Sequence, residues 1–151
     1  MSTDIHAPDL TKRPPRSPRV RLGGLVILPR MLDKGRAAIA GTVGEYHYDC
    51  PLDGFVKGFL DFDAEGLKQQ LANGAGDGEA LEWILANSKN KPSAFEIAQW
   101  SDYVERTAPG DLRMRGFVHE SHAEVAPDRT DIHTLFHYLD LDDHVTFGGK
   151  P

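Results

Sequence analysis

Cysteine is nearly absent: Cys50 is the only one in 151 residues. That excludes an internal disulfide framework and a zinc site built from thiolates alone, and it fits a reducing, cytoplasmic setting. Long apolar runs are missing as well. The longest, Leu22 to Leu28, is broken by Gly23 and Gly24 and falls far short of the roughly 20 residues that cross a bilayer. The N-terminus is rich in Pro and Arg and lacks the apolar stretch of a secretory signal. A cytoplasmic protein with no membrane partner is therefore expected. No repeat recurs at a fixed period. The glycines at 74, 76 and 78 lack the Lys-Ser/Thr ending of a phosphate loop and read as a connector.

Positive charge is not in excess either. Against 17 Lys and Arg stand 23 Asp and Glu, a net charge of -6, where a nucleic-acid binder would show a broad basic face. Nucleic acid is excluded as a partner on that ground. The charge is unevenly spread, however. Residues 1–36 hold eight Lys/Arg and three Asp, or +5, and the remainder holds nine against twenty, or -11. A basic arm on an acidic body can dock on that body, or it can reach a phosphate-bearing ligand.

What is present suits one globular domain: 40% apolar residues, 9% aromatics, 26% charged residues and a mean hydropathy of -0.43. Three prolines in residues 1–17 predict an extended basic arm. Ser17-Pro18 resembles a helix cap followed by proline. Apolar spacing predicts a helix over 29–40, stopped by Gly41, and then an extended connector or one short strand over 44–51. A helical stripe of Leu52, Phe55, Val56, Phe59 and Leu60 follows. Asp63 caps a helix over 64–73, Asp77 caps one over 78–87 with Leu81, Ile84 and Leu85 inward, and Ser93 with Glu96 forms a capping box for 94–106. Further helices are predicted over 112–125 and from Asp131 to about Leu141. The expected fold is all-α: about six short helices in an orthogonal or bundle-like domain over 18–144, with a frayed tail over 145–151.

Four groups of residues could carry chemistry. His133 and His137, four apart with Asp140 between them in azimuth, have ligand types suited to a divalent metal such as zinc, with His119 and His122 on the preceding helix. They also suit simple pairing with Asp140, Asp142 and Asp143 near solvent. Cys50 could act as a nucleophile if the fold supplied a base, although an alternating strand would point it away from His47. Arg30 and Lys34, four apart, with Arg36 nearby, form a basic helical face suited to a carboxylate or phosphate, and Tyr46 and Tyr48 could wall a small pocket beside it. Internal pairing, for example Asp33 with Arg36, is the alternative. Asp128-Arg129-Thr130-Asp131 reads chiefly as a helix-capping device.

The segments "LTKRPPRSPRVRLGGLVILPRMLDKGRA" (10–37), "GEYHYDCPLD" (44–53) and "APDRTDIHTLFHYLDLDD" (126–143) together resemble an uncharacterised bacterial family, the domain of unknown function 5069. The matching positions are Ser17, Pro18, Arg30, Asp33, Lys34, Arg36, Tyr46, Cys50, Pro51, Asp128, Arg129, Thr130 and Asp131. The resemblance implies an all-helical bacterial cytoplasmic domain and carries no activity with it. The family pattern lacks histidine at positions 133 and 137, which weakens the metal reading.

The function expected is that of a non-enzymatic binding or interaction module for a small anion or an acidic partner, using Arg30, Lys34, Arg36, Tyr46 and Tyr48 and no cofactor. The alternative is an enzyme, either a metal-dependent hydrolase on His133, His137 and Asp140 or a Cys50 nucleophile. A monomer or a homodimer is expected, with Trp83 and Trp100 as core residues or interface anchors. On this reading, replacing Arg30 and Lys34 with alanine abolishes ligand binding and leaves the melting temperature nearly unchanged.

Overall fold

Helices form where the apolar spacing is helical in the computed structural model, which describes residues 5–107 and 122–151. They are α1 (Leu28–Ala40), α2 (Asp53–Leu60), α3 (Ala64–Ala72), α4 (Asp77–Asn87), α5 (Ala94–Arg106) and α6 (Leu135–Thr146). A further helical stretch covers 122–125. Among the described residues there is no strand, only an isolated bridge between Leu22 and Leu25. The domain is all-α, and the 44–50 connector is a succession of turns. The predicted helix over 112–125 lies largely outside the described residues.

Local chemistry accounts for several helix ends. Pro29 sits in the first turn of α1, and Gly41 closes it in the left-handed conformation at φ 76°. Asp63 accepts from the Gly66 N–H at 3.0 Å and caps α3. Both halves of the Ser93–Glu96 capping box form at α5.

Elsewhere the local signals were overridden. Asp77 is the first residue of α4 and not its cap, because its carboxylate accepts from Arg16 and Arg36 instead. Ser17 anchors a turn, with its backbone carbonyl taking the Val20 N–H and its hydroxyl donating to Asp140 at 2.7 Å. The last helix starts four residues later than predicted, at Leu135, since Thr134 caps it through the His137 N–H at 3.1 Å. It also continues to Thr146, after which Gly149 N–H donates back to the His144 carbonyl at 2.8 Å. Phe55 and Leu85, expected inward, are exposed at 48% and 40%.

The apolar run that is too short for a membrane forms the centre of the core. Leu22 and Leu25 exchange backbone hydrogen bonds of 3.1 and 3.0 Å across Gly23 and Gly24, whose φ values are 57° and 80°. Two successive positive φ angles are the requirement of a tight two-residue turn, and glycine meets it without strain. The turn delivers Leu25, Val26, Ile27 and Leu28 into the core, all fully buried. Ser101 holds this segment by donating to the Gly24 carbonyl at 2.6 Å and accepting from the Val26 N–H at 3.2 Å. Ile27 itself has φ 74°, a costly value for a β-branched residue. Its burial and its N–H bond to the Pro18 carbonyl at 2.8 Å hold it there.

Around this core, α1 packs on α3 at very short range. A Cβ at Gly35 would stand 2.7 Å from Leu71 Cδ1 and 3.1 Å from Tyr48 Cε2, so any larger residue there requires the buried Leu71 side chain to move. Trp100 stacks on Phe59 with centroids 4.6 Å apart, and Trp83 also packs against the core.

The basic arm lies on the acidic body. Leu10 is buried and donates its N–H to the Thr42 carbonyl at 2.8 Å. Arg16 bridges Asp33 at 3.0 Å and Asp77 at 2.8 Å, Arg19 contacts Asp140 at 3.3 Å, and Arg21 meets Asp102 and Glu105. The Arg16 hydrogen bond, with that of Arg36, holds the Asp77 carboxyl below its ordinary 3.8 against the opposing effect of burial. A carboxyl depressed in the fold stabilises it above the unfolded value, and that contribution is lost as pH falls through the folded value. Arg16→Ala should therefore cost about 1–3 kcal/mol at pH 7 by urea unfolding. The deficit should shrink once pH falls below about 4. An equal deficit at pH 7 and pH 3 would show that Arg16 acts through packing and not through charge.

Candidate functional site

Helix α1 carries Arg30, Asp33, Lys34 and Arg36, and the first three are buried, at 4%, 9% and 2% exposure. A buried charge is tolerated only when paired, and each of these has a partner on a different segment. Arg30 forms a two-pronged pair with Asp143 of α6 at 2.7 and 3.2 Å. Asp33 takes Arg16 from the arm. The Lys34 ammonium lies 3.0 Å from Asp53 at the start of α2 and donates to Cys50 Sγ at 3.1 Å. Arg36 binds Asp77 of α4 at 2.8 Å and the Ala75 carbonyl.

Tyr46 completes the Arg30 pair. Its hydroxyl donates to Asp143 Oδ1 at 2.8 Å, and the Arg30 guanidinium stands 5.5 Å from its ring centroid. Burial and the Asp143 carboxylate push the Tyr46 hydroxyl well above its ordinary value, so it acts as a donor. Burial lowers the Arg30 guanidinium, and the hydrogen bond and charge of Asp143 more than offset it. Asp53 moves in the direction opposite to Asp77. Its full burial raises the carboxyl, and the Lys34 charge offsets only part of that.

A cleft of about 290 Å³ opens over these pairs. Arg30, Lys34, Tyr46, His47 and Cys50 line it, with Leu52 and Leu139 as apolar walls and Glu45, Asp142 and Thr146 among its other bordering residues. His47 and Cys50 thus share one cleft, contrary to their expected opposite projection, because turns and not an alternating strand carry them. Tyr48 lies outside the cleft. It walls a wider hollow of about 550 Å³ that Tyr46 and His47 also border and donates to the Ala64 carbonyl at 2.6 Å. Arg36 is on neither surface, being turned to Asp77.

The late start of α6 leaves His133 outside the helix that carries His137, with their ring centroids 6.4 Å apart. His133 precedes the helix and its N–H donates to His137 Nδ1 at 3.2 Å. Asp140 is occupied by Ser17 and Arg19. Among the described residues no group of three or more His, Cys, Asp or Glu side chains could hold a metal ion. His119 lies outside the described residues. Asp143, expected near solvent, is 6% exposed, because Arg30 draws it into the core. Arg129 and Asp131 pair with each other at 2.7 Å in the turns before α6 and cap no helix.

The model of one family matches residues 12–145, which is most of the chain: the domain of unknown function DUF5069. The chain belongs to the DUF5069 family. No match was found among curated proteins. The family is defined as a domain of unknown function, so what this DUF5069 domain can do rests on the cleft itself.

Its acidic half is what the sequence concealed. Asp53 and Asp143 determine how Lys34 and Arg30 are held, yet they lie 19 and 113 positions away from them, and no local spacing marks either. The expectation that Arg30 and Lys34 can be truncated without loss of stability is therefore reversed. Removing one partner of a buried pair leaves the other uncompensated, at about 3–5 kcal/mol, whereas replacing both with apolar groups is often near neutral. Asp143→Ala should destabilise the domain by that amount in urea unfolding. The double substitution Arg30→Met, Asp143→Leu should recover most of it. A double variant no more stable than Asp143→Ala would show that the pair is not the source of the loss.

Proposed function

We propose that this domain is a small-ligand binding module whose site is the cleft between α1, α6 and the 45–50 segment, and that its ligand is a small anion. One observation carries the reading: two cationic heads, Arg30 and Lys34, are buried within α1 and yet border the same cleft, beside the apolar side chains Leu52 and Leu139. A concave, largely apolar space with a few convergent polar groups is the usual form of a ligand site. Asp143 and Asp53 fix the two heads in place. A guanidinium carries five N–H donors and an ammonium three; Asp143 and the Arg16 carbonyl together engage three of Arg30's, and Lys34 directs one hydrogen bond to Cys50 and pairs with Asp53 at 3.0 Å. An incoming oxyanion adds to these pairs and need not break them.

The recessed position of both cations favours a small molecule over an acidic protein partner, whose carboxylates would have to reach past Glu45 and Asp142. A second reading, catalysis through Cys50, is favoured by the Lys34–Sγ contact alone. The hydrolase on His133, His137 and Asp140 has no such support.

Thermal-shift measurements against a panel of small carboxylates and phosphate monoesters test the reading. At least one should raise the melting temperature in proportion to the logarithm of its concentration, as linkage requires. Thr146 is exposed and borders the cleft, so Thr146→Trp should fill its mouth and abolish the shift, leaving the unliganded melting temperature within about 2 °C. A panel with no stabilising member, or a shift that survives Thr146→Trp, would refute the site.

A further inference from the structure

We propose that the ligand of the cleft is zwitterionic: a small molecule that carries a primary ammonium as well as its anionic group. The anion lies toward Arg30 and Lys34, and the ammonium is received by Asp142 and Glu45. The anionic end rests on the reading of the cleft given above, and the ammonium end extends it.

Two successive carboxylates of α6 serve different surroundings. Asp143 turns inward to Arg30, and Asp142, about 100° further round the helix, borders the cleft. Leu139, Asp142 and Thr146, spaced by three and four, share one face of α6 and form that wall. Glu45 borders the cleft from the 45–50 segment. These two carboxylates differ from the cations beside them. Arg30 is held by Asp143 and Lys34 by Asp53, whereas among the described residues neither Asp142 nor Glu45 forms an ion pair or accepts a hydrogen bond.

The balance of charge decides what the cleft can take. Arg30 and Lys34, with their partners Asp143 and Asp53 and the free Asp142 and Glu45, set two cations against four carboxylates. A simple anion drawn to Arg30 and Lys34 therefore meets repulsion from Asp142 and Glu45. An ammonium on the same molecule removes that conflict, because it supplies the counter-charge these carboxylates lack and makes charge-assisted hydrogen bonds to them. Asp142 registers the lack: partial burial and the neighbouring Asp143 push its carboxyl above its ordinary value, and Arg30 offsets only part of this. The cleft, at about 290 Å³, stands at the small end of ligand sites. It suits a molecule of amino-acid size, with Leu52 and Leu139 against the short aliphatic chain between its charged ends.

Matched ligands in which a methyl group replaces the ammonium provide the test: alanine against isobutyrate, γ-aminobutyrate against pentanoate, and phosphoethanolamine against propyl phosphate. Dissociation constants are read from NMR titrations of the full chain at pH 7 and low salt. In at least one pair the ammonium-bearing member should bind about ten-fold or more tightly than its isostere, the worth of one charge-assisted hydrogen bond. The pair that responds also tells a carboxylate from a phosphate as the anionic end. Asp142→Asn should remove most of that advantage without weakening the isostere, and its melting temperature should be no lower than that of the native chain, since Asp142 has no partner to lose. Glu45→Gln, at an exposed position, should reduce the advantage by a smaller factor. Isosteres that bind as tightly as the ammonium-bearing members in every pair overturn the zwitterion and sustain the anion reading. An advantage that survives both substitutions overturns the seat of the ammonium and the proposal with it. Binding by no member of any pair defeats the anion reading itself.

Discussion

Burying a charge costs several kcal/mol unless a counter-charge is brought to it, and α1 buries three within two turns. Arg30, Asp33 and Lys34 are all under 10% exposed, on a helix whose apolar residues Leu28, Met31 and Leu32 are wholly buried. The helix cannot enter the core by its apolar stripe alone. It requires carboxylates from α2 and α6 and a guanidinium from the arm, and Arg36 recruits α4 in the same way. These pairs dictate where the surrounding segments lie. The arm runs past Asp33 and Asp77 because Arg16 serves both, and the last helix is drawn inward because Arg30 takes Asp143.

The same constraint shapes the cleft proposed as the site. Where α1 faces the 45–50 segment, the paired side chains are buried yet border the cleft lined by Arg30, Lys34 and Cys50. The polar groups there are held by partners on other elements, which is the rigidity that ligand recognition needs. Opposite directions of titration mark the two kinds of pair. Asp77, partly open to solvent, is depressed by its arginines. Asp53, sealed inside, is raised by its burial in spite of Lys34. The Asp77 clamp thus adds stability at neutral pH, whereas ionised Asp53 is a strain on the fold that eases as pH falls through its raised value toward the unfolded one.

Much of the fold was legible from short-range chemistry. Gly41, Asp63 and the Ser93–Glu96 box mark their helix ends because a cap is a contact between neighbours. Spacing along α1 also singled out Arg30 and Lys34, and the fold brings Tyr46 and Cys50 to the same cleft. The failures share a cause: each was decided by a distant partner. Asp77 reads as a cap until Arg16 and Arg36 take its oxygens, and the histidines read as one helical face until Thr134 sets a later start. Asp143 reads as solvated until Arg30, 113 residues away, is placed beside it. The two-residue turn at Gly23–Gly24 was hidden for a related reason, since the glycine pair reads as a break in an apolar run and only the bridge between Leu22 and Leu25 makes it a turn.

The buried ammonium of Lys34 is the feature on which both the packing of α1 and the chemistry of the cleft converge. A proton–nitrogen correlation spectrum of the lysine side chains at neutral pH observes it directly, because an ammonium signal survives only when it is shielded from exchange with water. A resolved, slowly exchanging Lys34 signal, absent from a Lys34→Met spectrum, is the predicted result. A Lys34 ammonium that exchanges as fast as those of the surface lysines would contradict the account at its centre.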